Sequence, residues 1–405
     1  MLALTIFCLA YVGIALGKIP GLVIDRTGVA LLGAIAMVVF GVVTPEGAVK
    51  SIDLPTILLL YSLMIISAQL RLGGFYTWVA LKIAPFYTHP RLFLLITMLV
   101  SALLSAILAN DIVCFAFTPV LALSLIGAGL NPVPFLIGLA VSSNIGSAAT
   151  IIGNPQNMLI GQTGHLDFAK FFFWCSPPSL LALIASYLII LWIYRKKIYD
   201  KEKKIYREGT QQRQPFDKWQ TLKGIFLILM LMSLFFSSIP RELSAIGIAG
   251  LLLCSRKMKT RDIIDLVDWH LITLFCALFV IIHGVSQSHY LDMVMNRLSN
   301  LGMDLHNLHV LTGMSVILSN FFSNVPATML LIRFLDPLKQ TQWYTLAVSS
   351  TFAGNLFLLG SIANLIVVEQ ASNFDIKITF SQHAAVGIPV TLASLLILLA
   401  WLLIA

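Results

Sequence analysis

The 405 residues are 58% hydrophobic and 11% charged, with a mean hydropathy of +0.91, whereas a soluble domain carries about 25% charge. That balance excludes a soluble enzyme or scaffold. The net charge of +8 is no nucleic-acid footprint either, because ten of the 26 basic residues fall in one stretch, Arg195–Lys223. Apolar runs of about 20 residues, enough to span a bilayer, recur along the chain, so the sequence reads as an all-α, multi-pass integral membrane protein.

Taken in order, the first half opens with predicted spans at 1–17, 27–44 and 54–70. The stretch before Gly17 has no basic n-region and no cleavage site, which reads as a first span and not a signal peptide. An interfacial stretch (71–90) leads into an apolar block, 92–127, interrupted at Asn110-Asp111. A span broken by glycine, 133–162, and a final span, 178–194, complete the half. After a basic connection at 195–222 the order recurs: spans at 223–239, 243–255 and 268–285, and an interfacial stretch at 286–306. A block interrupted at Asn324 (308–337), a broken span (342–370) and a last span (383–404) follow.

The recurrence is visible residue by residue. "IDLPTILLLYSLMIISAQL" from Ile52 matches "VDWHLITLFCALFVIIHGV" from Val267, 215 positions on, with Asp53 and Asp268 opening each span. "SALLSAILANDIVCFAF" from Ser101 matches "SVILSNFFSNVPATMLL" from Ser315, 214 on, and "GNPQNMLI" from Gly153 matches "GSIANLIV" from Gly360, 207 on. Only about eleven apolar residues follow Pro326 before Asp336 and Pro337, too few to cross comfortably. The interrupted blocks therefore read as re-entrant hairpins, which leaves five crossings per half and makes the second half (223–405) an inverted copy of the first (1–194). With 195–222 in the cytoplasm, 20 of the 26 basic residues face inward, as cytoplasmic loops require.

The stretch "SNIGSAATIIGNPQNMLIG" (143–161) places three asparagines, three glycines and a proline inside apolar sequence. A proline in a helix interior costs about 3 kcal/mol, and irregular backbone at membrane depth survives only when buried in protein or lining a polar cavity. The segment therefore reads as an unwound helix whose Ser143, Asn144, Gly146, Thr150, Gly153, Asn154 and Asn157 can replace a solute's hydration shell. Inverted repeats whose broken helices meet near the midplane mark a secondary transporter's binding site. Asn110 and Asp111 at one hairpin tip, Ser323 and Asn324 at the other, and Asn355, Gly360, Ser361 and Asn364 in the second broken helix extend the candidate set. A Na+ position is expected near Asn110, Asp111, Asn144 and Asn324. Each of these small polar residues can also serve as glue between helices; the matching clusters in both halves favour a site.

Asp111 is a carboxylate at membrane depth, which is costly and usually functional; it can coordinate a cation, shuttle a proton or bind hairpin amides. Arg333 can attract an anion or pair with Asp336, and Glu369 lies near water. The five cysteines show no CxxC or Cys/His spacing and read as buried thiols. No HExxH, P-loop or serine–histidine dyad speaks for an enzyme, and no cofactor is expected beyond a coupling Na+ or H+. A channel is the rival within the membrane class.

"AILANDIVCFAFTPVLA" (106–122), the 143–161 stretch, "LSNFFSNVPATML" (318–330) and "GNLFLLGSIANLIV" (354–367) together resemble the ion transporter superfamily. The similarity is greatest to its ArsB/NhaD/P-protein group, with the citrate and divalent-anion permeases as cousins. The resemblance implies a scaffold domain that dimerises and a transport domain of hairpins and broken helices that moves in an elevator-type cycle. The function it implies is Na+- or H+-coupled movement of a small anion, oxyanion or ion. A sodium/proton antiporter or an arsenite-type efflux permease is the alternative. Its setting would be a bacterial-type plasma membrane, with lipid and the transported ion as partners.

Overall fold

The computed structural model describes residues 1–16, 23–199, 216–287, 293, 297 and 303–404, and every regular element among them is a helix. The basic connection predicted at 195–222 lies largely outside the described residues, as does much of 286–306. The first half holds α1 (Leu2–Leu16), α2 (Arg26–Val39), α3 (Pro45–Ser51), α4 (Leu54–Leu72) and α5 (Phe75–Ile83). It continues through α6 (Pro90–Leu108), α7 (Asn110–Gly127), α8 (Val133–Ser147), α9 (Pro155–Thr163) and α10 (Phe168–Ile193). In the second half come α11 (Lys218–Phe235), α12 (Arg241–Leu253), α13 (Thr260–Ile264) and α14 (Trp269–Ser286). The chain closes with α15 (Leu308–Phe322), α16 (Asn324–Leu331), α17 (Gln340–Ala353), α18 (Ile362–Ser372) and α19 (Phe380–Trp401). Seven of these are long and apolar enough to cross a membrane.

Local chemistry sets the boundaries. Asp53 accepts a hydrogen bond from Thr56 N and Asp268 one from Leu271 N, both at 2.9 Å. The matched aspartates thus satisfy one orphan amide at the start of α4 and of α14. Asp167 caps α10 in the same way through Lys170 N. That helix therefore begins ten residues before the predicted 178, carrying Pro177 and Pro178 inside it; the proline pair reads in sequence as a start, but the cap decides. Likewise Asp217 caps α11 through Trp219 N and Gln220 N, so the last five residues of the predicted connection are helical. Lys257, 2.9 Å away, and these amides hold the exposed Asp217 carboxyl below the usual carboxylate range.

The interrupted blocks fold as two helices joined by one residue. Ala109 separates α6 from α7 with φ 67° and ψ 135°, and Ser323 separates α15 from α16 with φ 75° and ψ 159°. The two tips lie 214 positions apart, the offset of the surrounding match. The halves differ in reach. α6 and α7 have 19 and 18 residues, each about 27 Å or more at 1.5 Å per residue, whereas α16 has eight and ends in a 3₁₀ turn at Ile332–Phe334. Length alone thus keeps α16, but not α7, from crossing.

The breaks fall where glycine and proline were out of place. Residues 148–154 part α8 from α9, and 354–361 part α17 from α18, with a 3₁₀ turn at Leu358–Gly360. Packing pairs like with like. α2 lies on α14 and α4 on α12; α6 lies on α8 and α15 on α17. Across the halves, α7 runs along α18 and α16 along α9, while α10 packs against α19. Leu181, Ile184, Leu188 and Trp192 on the far side of α10 stay exposed, the surface a lipid-facing helix presents.

A non-glycine residue held at positive φ with extended ψ costs about 1–3 kcal/mol. Ala109→Gly and Ser323→Gly are therefore expected to keep or raise the melting temperature in detergent, and Ala109→Val to lower it by several degrees, read by thermal-shift fluorescence.

Candidate functional site

Each break is closed by an asparagine three residues into the following half-helix. Asn157 Nδ2 donates to the carbonyl oxygens of Ser147 (3.3 Å) and Thr150 (3.0 Å). Asn364 Nδ2 donates to those of Gly354 (2.8 Å) and Phe357 (3.4 Å). All three positions correspond at one offset of 207, so the two breaks are built alike. The half-helix starts correspond too. Asn154 accepts from Asn157 N (2.8 Å), and Ser361 accepts from Ala363 N (3.2 Å). Close approach requires glycine here: a Cβ on Gly146 would run into the backbone of Ala102, and one on Gly153 into that of Ser147.

Where the halves meet, the amides join. Asn110 Nδ2 donates to Asn144 Oδ1 (2.9 Å), and Ser361 Oγ donates to the same oxygen (3.0 Å). Asn144 Nδ2 donates in turn to Asn355 Oδ1 (2.9 Å) and Asn364 Oδ1 (3.1 Å). Asn144 thereby binds three residues of the opposite half from the middle of the first. The tips are anchored at the breaks. Asn110 N donates to Gly153 O (2.8 Å), and Asn324, its amide nitrogen facing them, donates to Gly360 O (3.0 Å) and Ser350 O (3.1 Å). Ser143 donates to Asn110 O (3.2 Å) and shares a hydrogen bond with Ser105 (2.6 Å), while Thr150 donates to Ala106 O. Asn110, Asn144, Asn355 and Asn364 are 3% exposed or less.

The cluster keeps two free polar atoms. Asn110 Oδ1 and Asn355 Nδ2 are buried and have no hydrogen-bond partner among the described residues. One is an acceptor, the other a donor, and both belong to neighbours of Asn144. Among the described residues no group of three or more His, Cys, Asp or Glu gathers as a metal site.

Asp111 goes elsewhere. It follows Asn110 in the first turn of α7 but lines a separate cavity of about 300 Å³ with Arg71, Asp268 and Gln370. Ser323 is the strained tip itself, beside Asn324. Arg333 lines another cavity, and Asp336 lies 4.0 Å from Lys339 instead. Thr351 was missed by sequence reasoning: it accepts from Asn154 (3.1 Å) and Gln156 (3.4 Å). It stands 207 positions after Asn144, and that offset is the signal that finds it. His383, 2% exposed, was missed as well; its Nε2 lies 3.2 Å from Asn355 O. A lone histidine at the start of an apolar helix carries no such signal.

Two broken helices joined by side-chain hydrogen bonds at a buried polar cluster, in a bundle of membrane-length helices, define a polytopic membrane transporter. The chain belongs to the citrate transporter family, whose model matches residues 11–353, within the ion transporter superfamily. It is 28% identical to the silicon efflux transporter LSI3 of Oryza sativa subsp. japonica, over 93% of this chain and 92% of that protein. It is also 28% identical to a 46 kDa membrane protein of Mycobacterium leprae, over 98% of this chain and 96% of that one. The fold resembles the crystal structure of the Alcanivorax borkumensis YdaH transporter (TM-score 0.52, 14% identity), covering 100% of this chain and 96% of the other.

Removing the amide that closes a break strands two buried carbonyls, at about 1–3 kcal/mol each. Asn157→Ala and Asn364→Ala are expected to lower the melting temperature of the purified protein to a similar extent, since they close equivalent breaks. Gly153→Ala should lower it further, because the Ser147 backbone cannot yield.

Proposed function

We propose that the chain is an ion-coupled secondary transporter whose cargo is a small, hydroxyl-bearing weak acid held at the asparagine cluster. The observation that carries this reading is the composition of that cluster. Four buried amides and their serines offer both donors and acceptors, and no lysine or arginine among the described residues hydrogen-bonds to them. Fully ionised citrate carries three carboxylates beside its one hydroxyl and would need positive charge to offset their desolvation. A solute with both oxygen and hydroxyl groups suits Asn110 Oδ1 and Asn355 Nδ2 together. The silicon efflux transporter named above carries a cargo of that chemistry, since dissolved silicon is a neutral hydroxide.

Alternating access follows from the internal repeat. Two copies of one architecture, inverted in the membrane, can exchange conformations and so expose one central site to each side in turn. In this reading α1, α2, α4, α11, α12 and α14 form the fixed, dimerising scaffold. The hairpins and broken helices form the moving part of an elevator cycle, and 195–222 faces the cytoplasm. Asp111, one residue from the cluster and the only carboxylate in either tip, carries the coupling H+ or Na+. A channel is disfavoured because the cluster is closed by direct hydrogen bonds between the halves.

Reconstituted protein is expected to take up germanic acid, a stand-in for silicic acid, saturably and in response to a pH or Na+ gradient, and to leave citrate outside. Asn144→Ala should reduce that uptake by at least tenfold. Asp111→Asn should leave a folded protein whose flux no longer responds to the gradient. Flux that never saturates and ignores every ion gradient would establish a channel instead.

A further inference from the structure

Two cavities flank the asparagine cluster, and the repeat that relates the halves also relates their linings. The smaller, about 300 Å³, is bounded by α4, α7, α9, α18 and the 265–268 turn. The larger, about 620 Å³, is bounded by the start of α4, the end of α9, α14, α16 and the 332–337 segment. Met64 of the first corresponds to Phe279 of the second, and Asp268 to Asp53, each at the offset of 215. Phe115 corresponds to Met329 at 214, and Gln370 to Thr163 at 207. These offsets are the ones that align the sequence halves, so the two cavities share equivalent wall positions, although Arg71 and Arg333 align with Ser286 and Pro119 and are not themselves related by the repeat. They open at opposite ends of α4. Asp53 caps its first turn in one and Arg71 stands in its last turn in the other, about 27 Å apart along the axis.

Each chamber holds one arginine, Arg71 or Arg333. The Arg71 guanidinium lies 4.3 Å over the Phe115 ring, and its Nη1 is buried without a hydrogen-bond partner among the described residues. Of the carboxylates at the mouth, Asp268 caps α14 and Asp265 lies 3.9 Å from Arg261, while the exposed Glu369 also lines the cavity. Deeper in, Gln370 is 8% exposed, and its Oε1 is a second buried atom with no partner. Asp111, also 8% exposed, completes the polar lining against apolar walls. One free donor and one free acceptor, with a carboxyl beside them, call for an occupant bearing both an acceptor oxygen and a hydroxyl. The cluster beyond Asn110 makes the same demand.

We propose that the smaller cavity is a second solute site, in which Arg71 and Gln370 hold the hydroxyl-bearing acid before it passes along the first turn of α7, from Asp111 to Asn110, into the asparagine cluster. Arg333 receives the solute in the larger chamber from the other side. The inference rests on the transporter reading above and adds to it a site on each side of the central one. The apolar walls make the chamber selective, because a guanidinium there binds an oxygen undiluted by bulk water.

The test is equilibrium binding of radiolabelled germanic acid to the purified full-length protein, joined to sided transport in proteoliposomes. In Asn144→Ala, where the central site is disabled, residual binding is expected; it should fall in Asn144→Ala/Arg71→Gln, fall less in Asn144→Ala/Arg71→Lys, and vanish only when Arg333→Gln is added to Asn144→Ala/Arg71→Gln. Arg71→Gln alone should raise KM for solute entering from the face of the 265–268 turn about tenfold, the loss of one charge-assisted hydrogen bond, with kcat little changed. Entry from the opposite face should keep its KM, and Arg333→Gln should give the reverse. If Asn144→Ala abolishes all binding while the wild-type protein binds and transports, the second site is overturned and the transporter reading stands. Equal loss in both directions together with a lowered melting temperature would also overturn it, by making Arg71 structural. A wild-type protein that neither binds nor carries the probe would instead overturn the parent reading, and this one with it.

Discussion

Everything in this structure depends on how the backbone is satisfied where α8 and α17 stop. In hydrocarbon an unpaired amide or carbonyl costs several kcal/mol, and each break frees several of them at full burial. Asn157 and Asn364 meet that demand with the same geometry, each reaching back to carbonyls seven and ten residues earlier. Because a side chain closes the gap, the two half-helices need no continuous backbone ladder. Their ends can then turn toward a common point, where the partial charges of α9 and α18 are available to a solute.

The join between the halves follows from that arrangement. Asn364 spends its nitrogen on the break and offers its oxygen to Asn144, so one residue both closes a helix and ties the repeats together. Its counterpart Asn157 keeps its own oxygen unpartnered, and Thr351 takes up Asn154 instead. The symmetry of the backbone is thus close, while the side chains facing the centre differ. A site between two copies of one motif need not be symmetric, and here the first half supplies the residue at its centre.

Much of this was legible in the sequence. Gly153-Asn154-Pro155 and Gly360-Ser361 announce breaks because no helix in oil tolerates them unaided. Asp53 and Asp268 announce helix starts because a carboxylate there has an orphan amide to meet. The second hairpin's short arm was readable from the eleven apolar residues before Asp336. Azimuth was not readable. Neighbouring residues on a helix point about 100° apart, so of Asn110 and Asp111, adjacent in a motif, one joins the asparagine cluster and the other lines the smaller cavity. Nor does composition separate Pro177 and Pro178 as interior residues from a helix start; only the cap at Asp167 does. Thr351 escaped because a threonine in an apolar helix is unremarkable until its partner across the repeat is known.

The scarcity of charge at the centre has an energetic consequence for transport. Moving a full charge through a low-dielectric layer carries a penalty of several kcal/mol unless it is paired throughout. An amide cluster carries dipoles and no net charge, so in the proposed elevator cycle shifting it relative to the scaffold exposes no ion to lipid. Charge is confined to the chambers on either side, where Arg71 and Arg333 remain at the ends of their helices and near water. On the proposed reading, this division of labour lets the chambers attract and orient the solute while the cluster carries it. On the same reading Asp111 stands at the boundary, close enough for its protonation or ion binding to be felt by Asn110 and far enough not to burden the cluster with charge. Coupling then needs no carboxylate among the amides; it needs one at their door.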